Sequence, residues 1–218
     1  FIIFGTLIGK RIGEMEGFPY MEYIAPGLVM MSVITNSYGN VVGSFFNAKI
    51  QGHIEELLVS PLSEISIVIG YLAGGIIRGL AVATVVTFIA LFFTEINIKN
   101  PLMTLFVIIM TAGVFSLAGL INAIFAKKFD DIAVIPSFVL APLTYLGGVF
   151  YTVSLLPEFW QTLSRFNPIL YMINSMRYSV IGISDVSIQN ALMMIVVFFI
   201  LLFATAVILL KKGIGIRQ

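Results

Sequence analysis

The feature that most restricts the possible folds of this chain is an uncharged apolar run near its end. Residues Ala191–Leu210 contain no Asp, Glu, Lys or Arg, and Lys211 and Lys212 follow directly. A helix of this length measures about 30 Å, which matches the hydrocarbon core of a bilayer. The sequence is 59% hydrophobic and 11% charged, whereas soluble domains carry about 25% charged residues. We therefore predict an integral membrane protein, which argues against a soluble enzyme and against nucleic acid as a partner.

Charged breaks between apolar runs divide the chain into six predicted membrane segments within a single domain, residues 1–218. The predicted fold class is therefore all-α. The first segment, residues 1–9, starts inside an apolar stretch and not at Met, so we expect it to be part of a truncated first helix. The other predicted segments are residues 23–43, 65–93, 101–125, 132–151 and 191–210.

The region before the last segment is too long for a turn and too polar to span a membrane. Residues 153–182 contain Pro157 and Pro168, which suit the first position of a helix, and Asn167, which suits an N-cap. We expect two short helices that form a re-entrant hairpin in one leaflet, with the non-helical backbone shielded by protein or a water-filled cavity. The aromatic residues expected at the headgroup level are Trp160, Tyr171 and Tyr178.

The basic tail predicts the orientation of the chain. Lys211, Lys212 and Arg217 place the C-terminus in the cytoplasm by the positive-inside rule. Counting back through the segments, the connection of residues 44–63 is also cytoplasmic, and the predicted hairpin lies on the outer side.

No residue of the chain is predicted to bind a nucleotide or a metal. The nearest match to a phosphate-binding loop, residues 5–11, has one residue too few between its glycines and an arginine where Ser or Thr would hold Mg²⁺. His53 is the only histidine and there is no cysteine, which excludes histidine-cluster and thiolate metal sites. We expect no cofactor on this chain and no catalytic residue.

Polar residues inside the predicted segments are candidates for a substrate path. Ser32, Asn36 and Asn40 recur every four residues and so follow one helix face. They would bond across helices within the bundle, or line a substrate path or a dimer interface. Arg78 lies within the third segment, where an arginine is costly and often functional unless its side chain snorkels to the headgroups. Asn122 in the fourth segment is a further polar candidate.

Four short elements carry a family resemblance. They read EELLVSP at residues 55–61, YLGGVFY at 145–151, LLPEFW at 155–160 and FNPILY at 166–171. In order and spacing they resemble the E-x-L-x-x-T/S-P loop, the G-G/S-x-F-F/Y helix end, and the L-P-x-x-W and N-P-x-x-Y motifs of ABC type-2 exporter permeases. The similarity extends over the whole chain and is to bacterial inner-membrane permeases grouped with drug-resistance exporters.

The resemblance implies a permease subunit with six membrane helices that forms a homodimer among the lipids of the bacterial inner membrane. It implies a separate ABC ATPase subunit, which would bind the ATP and Mg²⁺, and a connecting helix upstream of the first membrane helix. It also implies that Ile54–Pro61 is the coupling element that docks on the ATPase. The residues assigned to that element are Ile54, Glu55, Glu56, Leu57, Ser60 and Pro61. The residues assigned to the re-entrant motif are Pro157, Trp160, Asn167, Pro168 and Tyr171.

Two other classes of function remain as alternatives. An intramembrane enzyme could use Asp130 and Asp131, or Glu158, although the aspartates more simply cap the fifth helix, where carboxylates meet the positive end of the helix dipole. Such an enzyme would turn over its substrate without a partner. An ATP-independent channel or secondary transporter, lined by the stripe of residues 32–44, would give flux without ATP.

Overall fold

The computed structural model describes residues 9–54, 56 and 60–215. The described chain is mostly helical, which confirms the predicted class at that level. In chain order its elements are α1 (Gly9–Ile12), β1 (Glu14–Met15), β2 (Phe18–Pro19), α2 (Tyr20–Ile50), α3 (Glu64–Ala90), α4 (Pro101–Phe125), α5 (Phe129–Leu146), α6 (Glu158–Arg165), α7 (Pro168–Ile181) and α8 (Ile188–Lys212).

Within the described residues, four helices are long and apolar enough to cross a membrane. They are α3, α4, α5 and α8, which lie where the third to sixth segments were predicted. The predicted first segment, except for Gly9, lies outside the described residues. The four helices agree with an integral membrane protein that crosses the bilayer several times.

The long helix α2 lies at the centre of the bundle. It runs from Tyr20 to Ile50, so it is longer than the predicted segment 23–43, and it contacts α3, α4 and α7. It is not among the four apolar helices, because asparagines and small polar residues lower the hydropathy of its middle part. Its apolar residues Tyr23, Met30 and Phe45 are fully buried. Neighbouring protein, rather than lipid, therefore covers most of this helix.

Glycines allow three of these helices to approach closely. A Cβ atom at Gly79 of α3 would lie 2.5 Å from the Ser37 Oγ atom of α2. A Cβ at Gly119 of α4 would lie 2.7 Å from the carbonyl oxygen of Tyr38 in α2. Gly39 of α2, in contrast, has no atom within 4 Å of such a Cβ. The close contacts are thus made by the glycines of α3 and α4 against the backbone and small side chains of α2.

Helix α5 contacts the rest of the bundle very little. Only 6% of its most apolar stretch is buried, although its composition is that of a membrane span. Its middle, Pro136–Leu140, is π-helical, and the irregular turn starts at a proline, which has no N–H to donate to the helix. Most of the α5 surface is therefore not covered by this subunit, although Ile132, Ile135 and Leu143 pack against its core.

The region between α5 and α8 contains the two short helices that were expected. A 3₁₀ turn, Val153–Leu155, leads into α6 and then into α7. Asn167 caps α7 by accepting a hydrogen bond from the Ile169 N–H at 3.0 Å, and Pro168 is the first residue of α7, as predicted. Pro157 was predicted to open a helix, but it precedes α6 with an extended ψ of 149°. It therefore occupies the cap position of α6.

A two-stranded hairpin follows α1, and the all-α prediction did not include it. Glu14 pairs with Pro19 and Met15 with Phe18. Both central residues have positive φ, 52° at Glu16 and 80° at Gly17, as a type I′ turn requires. A glutamate is an unusual first residue for such a turn, so the sequence carried only a weak signal for it.

Candidate functional site

The connection between α2 and α3 combines a buried apolar residue with an exposed carboxylate. Ile54 is only 3% exposed and packs in the hydrophobic core. Glu56 and Pro61 are exposed, while Ser60 is half-buried and donates its N–H to the Glu56 carbonyl oxygen at 3.1 Å. Glu55 and Leu57, the other residues assigned to this element, lie outside the described residues. The described part is anchored on one side and accessible on the other.

Lys49, which sequence reasoning did not select, joins the end of α2 to the end of α4. Its Nζ atom donates to the carbonyl oxygens of Ile124 at 2.6 Å and Ala126 at 2.9 Å. These carbonyls belong to the unpaired C-terminal turn of α4, where a positive charge is favourable. The α2–α3 connection thus starts next to the hydrogen bonds that join α2 to α4, the helix with which α2 packs most closely.

We expect Lys49→Met to destabilise the protein by about 1–2 kcal/mol, because the apolar stem is kept while two carbonyl oxygens lose their donor. The change is measured as a lower midpoint of thermal unfolding in detergent. Lys211→Met is the matched control, since Lys211 is exposed in the last turn of α8. Equal midpoints for the two variants would show that the Lys49 bonds contribute nothing to stability.

The polar stripe of α2 is only half-buried. The Ser32 Oγ atom donates to the Leu28 carbonyl oxygen at 2.9 Å, and the Asn36 amide donates to the Ser32 carbonyl oxygen at 3.0 Å. Within the described part of the chain, these side chains make no hydrogen bond to another helix. The structure therefore gives no support to the interpretation that they hold the bundle together.

A cavity of about 440 Å³ opens beside this stripe, between α2 and α3. Ser32 and Asn36 line it together with apolar residues of both helices. Asn40 lies further along α2, where its Oδ1 atom is the nearest to a Cβ built on Gly74, at 3.9 Å. The stripe and the facing surface of α3 form one surface, which we call the α2–α3 face: Ser32, Asn36 and Asn40 of α2, and Gly74, Arg78 and Ile89 of α3.

The two remaining polar candidates behave differently. Arg78 is exposed on α3, and it has neither a hydrogen bond nor an ion pair among the described residues. Asn122 is 9% exposed, and its amide donates to the Tyr38 hydroxyl at 2.7 Å. That bond joins α4 to α2 in the core. The Asn122 side chain thus stabilises the contact between α2 and α4, whereas the Arg78 side chain makes no such contact between helices.

Asp131 acts as the helix cap that the simpler interpretation expected. Its Oδ2 atom accepts hydrogen bonds from the backbone N–H groups of Lys127 at 2.9 Å and Lys128 at 3.1 Å, at the start of α5. Asp130 is exposed, 4.0 Å from the Lys128 Nζ atom. In the described ranges no three His, Asp or Glu side chains are grouped as metal ligands. The capping bonds account for Asp131 without an enzymatic role.

A buried arginine connects several elements at the end of the bundle where α2 begins, and sequence reasoning missed it. Arg177 of α7 has 0% exposure, and its Nη1 atom lies 3.6 Å from the Asp185 Oδ2 atom. Its Nη2 atom donates to the Gly148 carbonyl oxygen, and the guanidinium lies 4.0 Å from the centre of the Tyr23 ring. The available signal was one charge in the otherwise uncharged helix Pro168–Ile181. Arg177 joins α2, α7 and the glycine-rich end of α5 at one point.

The residues of the predicted re-entrant motif divide into structural and surface positions. Asn167 is 4% exposed and also donates its amide to the Leu143 carbonyl oxygen at 2.6 Å, which connects α5 to α7. The Tyr171 hydroxyl donates to the Arg165 carbonyl oxygen at 2.7 Å. Trp160 is 43% exposed on α6. The structure brings Asn167, Pro168 and Tyr171 together at the start of α7, and Trp160 lies apart on the surface.

Comparisons with known proteins cover the whole chain. The family model described as ABC-2 type transporter matches residues 1–181. The inner membrane transport permease YadH of Escherichia coli K12 is 53% identical over 218 residues, which is 100% of this chain and 85% of YadH. Nodulation protein J of Sinorhizobium fredii is 26% identical over 174 residues, 79% of this chain and 66% of that protein. Nodulation protein J of Rhizobium leguminosarum bv. viciae is 23% identical over 207 residues, 94% of this chain and 80% of that protein.

Proposed function

Because this chain belongs to the ABC-2 type transporter family, we propose that it is the membrane-spanning permease subunit of an ATP-driven exporter. It is a multi-pass protein of the bacterial inner membrane, and a separate ATPase subunit binds the ATP and Mg²⁺. Six helices cross the membrane in each subunit, and α2 is counted as the second. The re-entrant part is formed by α6 and α7.

The observation that carries this proposal is that the α2–α3 connection has a buried residue, Ile54, next to an exposed carboxylate, Glu56. An ATPase docked against the exposed Glu56 would push on a segment whose Ile54 is held in the core. The force would reach α2 directly, and α4 through the Lys49 bonds. A segment that was solvated on all sides would not transmit such a force.

A homodimer is supported by the exposure of α5. The helix is apolar, yet only 6% of its most apolar stretch is buried, so its faces are available to lipid and to a second copy of the chain. The translocation path would then run along the half-buried α2–α3 face, where Ser32, Asn36 and Asn40 present polar groups at membrane depth.

We expect Glu55→Ala and Glu56→Ala to differ in their effect on the ATPase, and at least one to weaken its association. Adjacent residues of any helix project about 100° apart, so two adjacent carboxylates need not meet the same partner group. Breaking a charge pair that is desolvated on docking costs about 2–5 kcal/mol, whereas a charge at the rim costs little. The measurement is co-purification of a co-expressed candidate ABC ATPase with each variant in nanodiscs, together with substrate transported per ATP hydrolysed.

The control for this experiment is Glu95→Ala, which removes an exposed carboxylate beyond the opposite end of α3. It should bind the ATPase like the parent. The purified chain alone should not hydrolyse ATP. Parental binding and transport by the Glu55/Glu56 double variant would exclude the coupling role, and ATP hydrolysis by the lone chain would exclude the assignment as a permease subunit.

A further inference from the structure

We propose that Arg78 binds the anionic head of a membrane-borne amphiphile, such as a phosphate or carboxylate with an acyl chain, on the α2–α3 face. The inference rests on the proposed function, because it names the chemistry that the translocation path would accept. It starts from an exposed cation within an apolar helix that has no partner in the described part of the chain.

The depth of Arg78 in the membrane can be estimated from the packing of the next residue, Gly79. Gly79 packs against Ser37 of α2. Ser37 lies about 18 Å before Lys49 and about 22 Å after Glu22 along the helix axis, at 1.5 Å per residue. Those two charged residues are near the ends of α2. Arg78 is therefore close to the middle of the membrane, too deep for its side chain to reach the headgroups by snorkelling.

The face of α3 that carries Arg78 is the one turned toward the polar stripe. Gly74, Arg78 and Ile89 lie within about 60° of one another around the helix axis, at 3.6 residues per turn. Gly74 faces Asn40. Ile89 lines the cavity that also contains Asn36. Arg78 therefore lies between two points where α3 meets polar groups of α2.

The chemistry of this face fits an anion that carries an apolar tail. A guanidinium in a low-dielectric setting pairs with carboxylates and phosphates through charge-assisted hydrogen bonds. The asparagines add uncharged groups, and no acidic side chain among the described residues pairs with Arg78. Leu28, Met31 and Val86 give the neighbouring cavity apolar walls that suit an acyl chain. The positive charge of Arg78 therefore favours an anionic head group, and the apolar residues of the cavity favour a ligand with an acyl chain.

The test measures binding of two fluorescent probes with the same dodecyl chain, one with a phosphate head and one with an uncharged glucoside head. The chain is held in phosphatidylcholine nanodiscs without an ATPase. We expect the phosphate probe to bind about 10- to 100-fold more tightly, the range for a hydrogen bond to a charged group. Arg78→Gln should remove the difference and leave glucoside binding unchanged, and Arg78→Lys should keep part of it. Arg165→Gln, at an exposed arginine of α6, should bind like the parent.

Three outcomes would overturn the proposal. The first is equal binding of the two probes by the parent. The second is a preference for the phosphate probe that persists in Arg78→Gln. The third is that inorganic phosphate displaces the phosphate probe as effectively as unlabelled dodecyl phosphate does. Because no ATPase is present, the result does not depend on coupling. Anion preference without ATP-driven transport would therefore reject the proposed function alone, and transport without anion preference would reject only the role of Arg78.

Discussion

Asp185→Ala is expected to lower the free energy of unfolding by about 3–5 kcal/mol, because it leaves a buried guanidinium without its counter-charge. Arg177 is completely buried and the Asp185 side chain is only 13% exposed, so both members of the pair are largely desolvated. The Arg177 Nε and Nη1 atoms have no hydrogen-bond partner even in the parent. The measurement is thermal unfolding of the detergent-solubilised protein, confirmed by a titration with SDS.

Asp130→Ala is the matched control for this variant. Asp130 pairs with Lys128 at 4.0 Å, but both side chains are largely exposed, so the unfolding transition should not move measurably. The double variant Arg177→Met/Asp185→Ala should recover much of the lost stability, since it removes the unpaired buried charge. If Asp185→Ala unfolds like Asp130→Ala, the buried pair does not stabilise the packing of α7 in the bundle.

Gly119→Ala is expected to cost about 2–3 kcal/mol, because the added methyl group would lie 2.7 Å from the backbone carbonyl oxygen of Tyr38. A backbone atom cannot rotate away as a side chain can, so α2 and α4 must separate. That separation would also lengthen the Asn122–Tyr38 hydrogen bond, which is 2.7 Å in the parent. The unfolding midpoint reports the loss of stability.

The matched control for this helix contact is Gly39→Ala. A Cβ atom at Gly39 meets nothing within 4 Å, so this substitution should stabilise α2 by about 0.5–1 kcal/mol through the lower conformational entropy of the unfolded chain. Opposite shifts in the two variants are the expected result. Similar shifts would mean that the close approach of α2 and α4 is not a source of stability.

Three contacts connect helix α2 to its neighbours, one at each end and one in its middle. Arg177 connects the N-terminal end of α2 to α7 through Tyr23, and Lys49 connects the C-terminal end of α2 to α4. Gly119 brings the middle of the same helix against α4. Under the proposed function, a push on the α2–α3 connection would therefore move α2 and α4 together. The weakly packed α5 would be free to move relative to them.

Membrane insertion, the number of long apolar helices after α2 and the caps at helix starts were predictable from the sequence. These properties depend on local composition, since about 20 apolar residues form a span wherever they occur and Asn167-Pro168 starts a helix from its own backbone geometry. The hairpin at Glu16-Gly17 was missed because the turn uses an atypical first residue. The coupling role of Glu55 and Glu56 stays a prediction.

The tertiary structure alone decided the environment of each polar residue. By sequence, Asn36 and Asn122 are both amides within apolar helices, yet one lies on a half-buried face and the other bonds Tyr38 in the core. Arg78 and Arg177 are both arginines in uncharged surroundings, and only Arg177 meets a carboxylate, a carbonyl group and an aromatic ring. Apolar composition determined that the chain enters a membrane. The partner of each polar group depends on how the helices are rotated and spaced in the bundle, which long-range packing sets and local sequence does not encode.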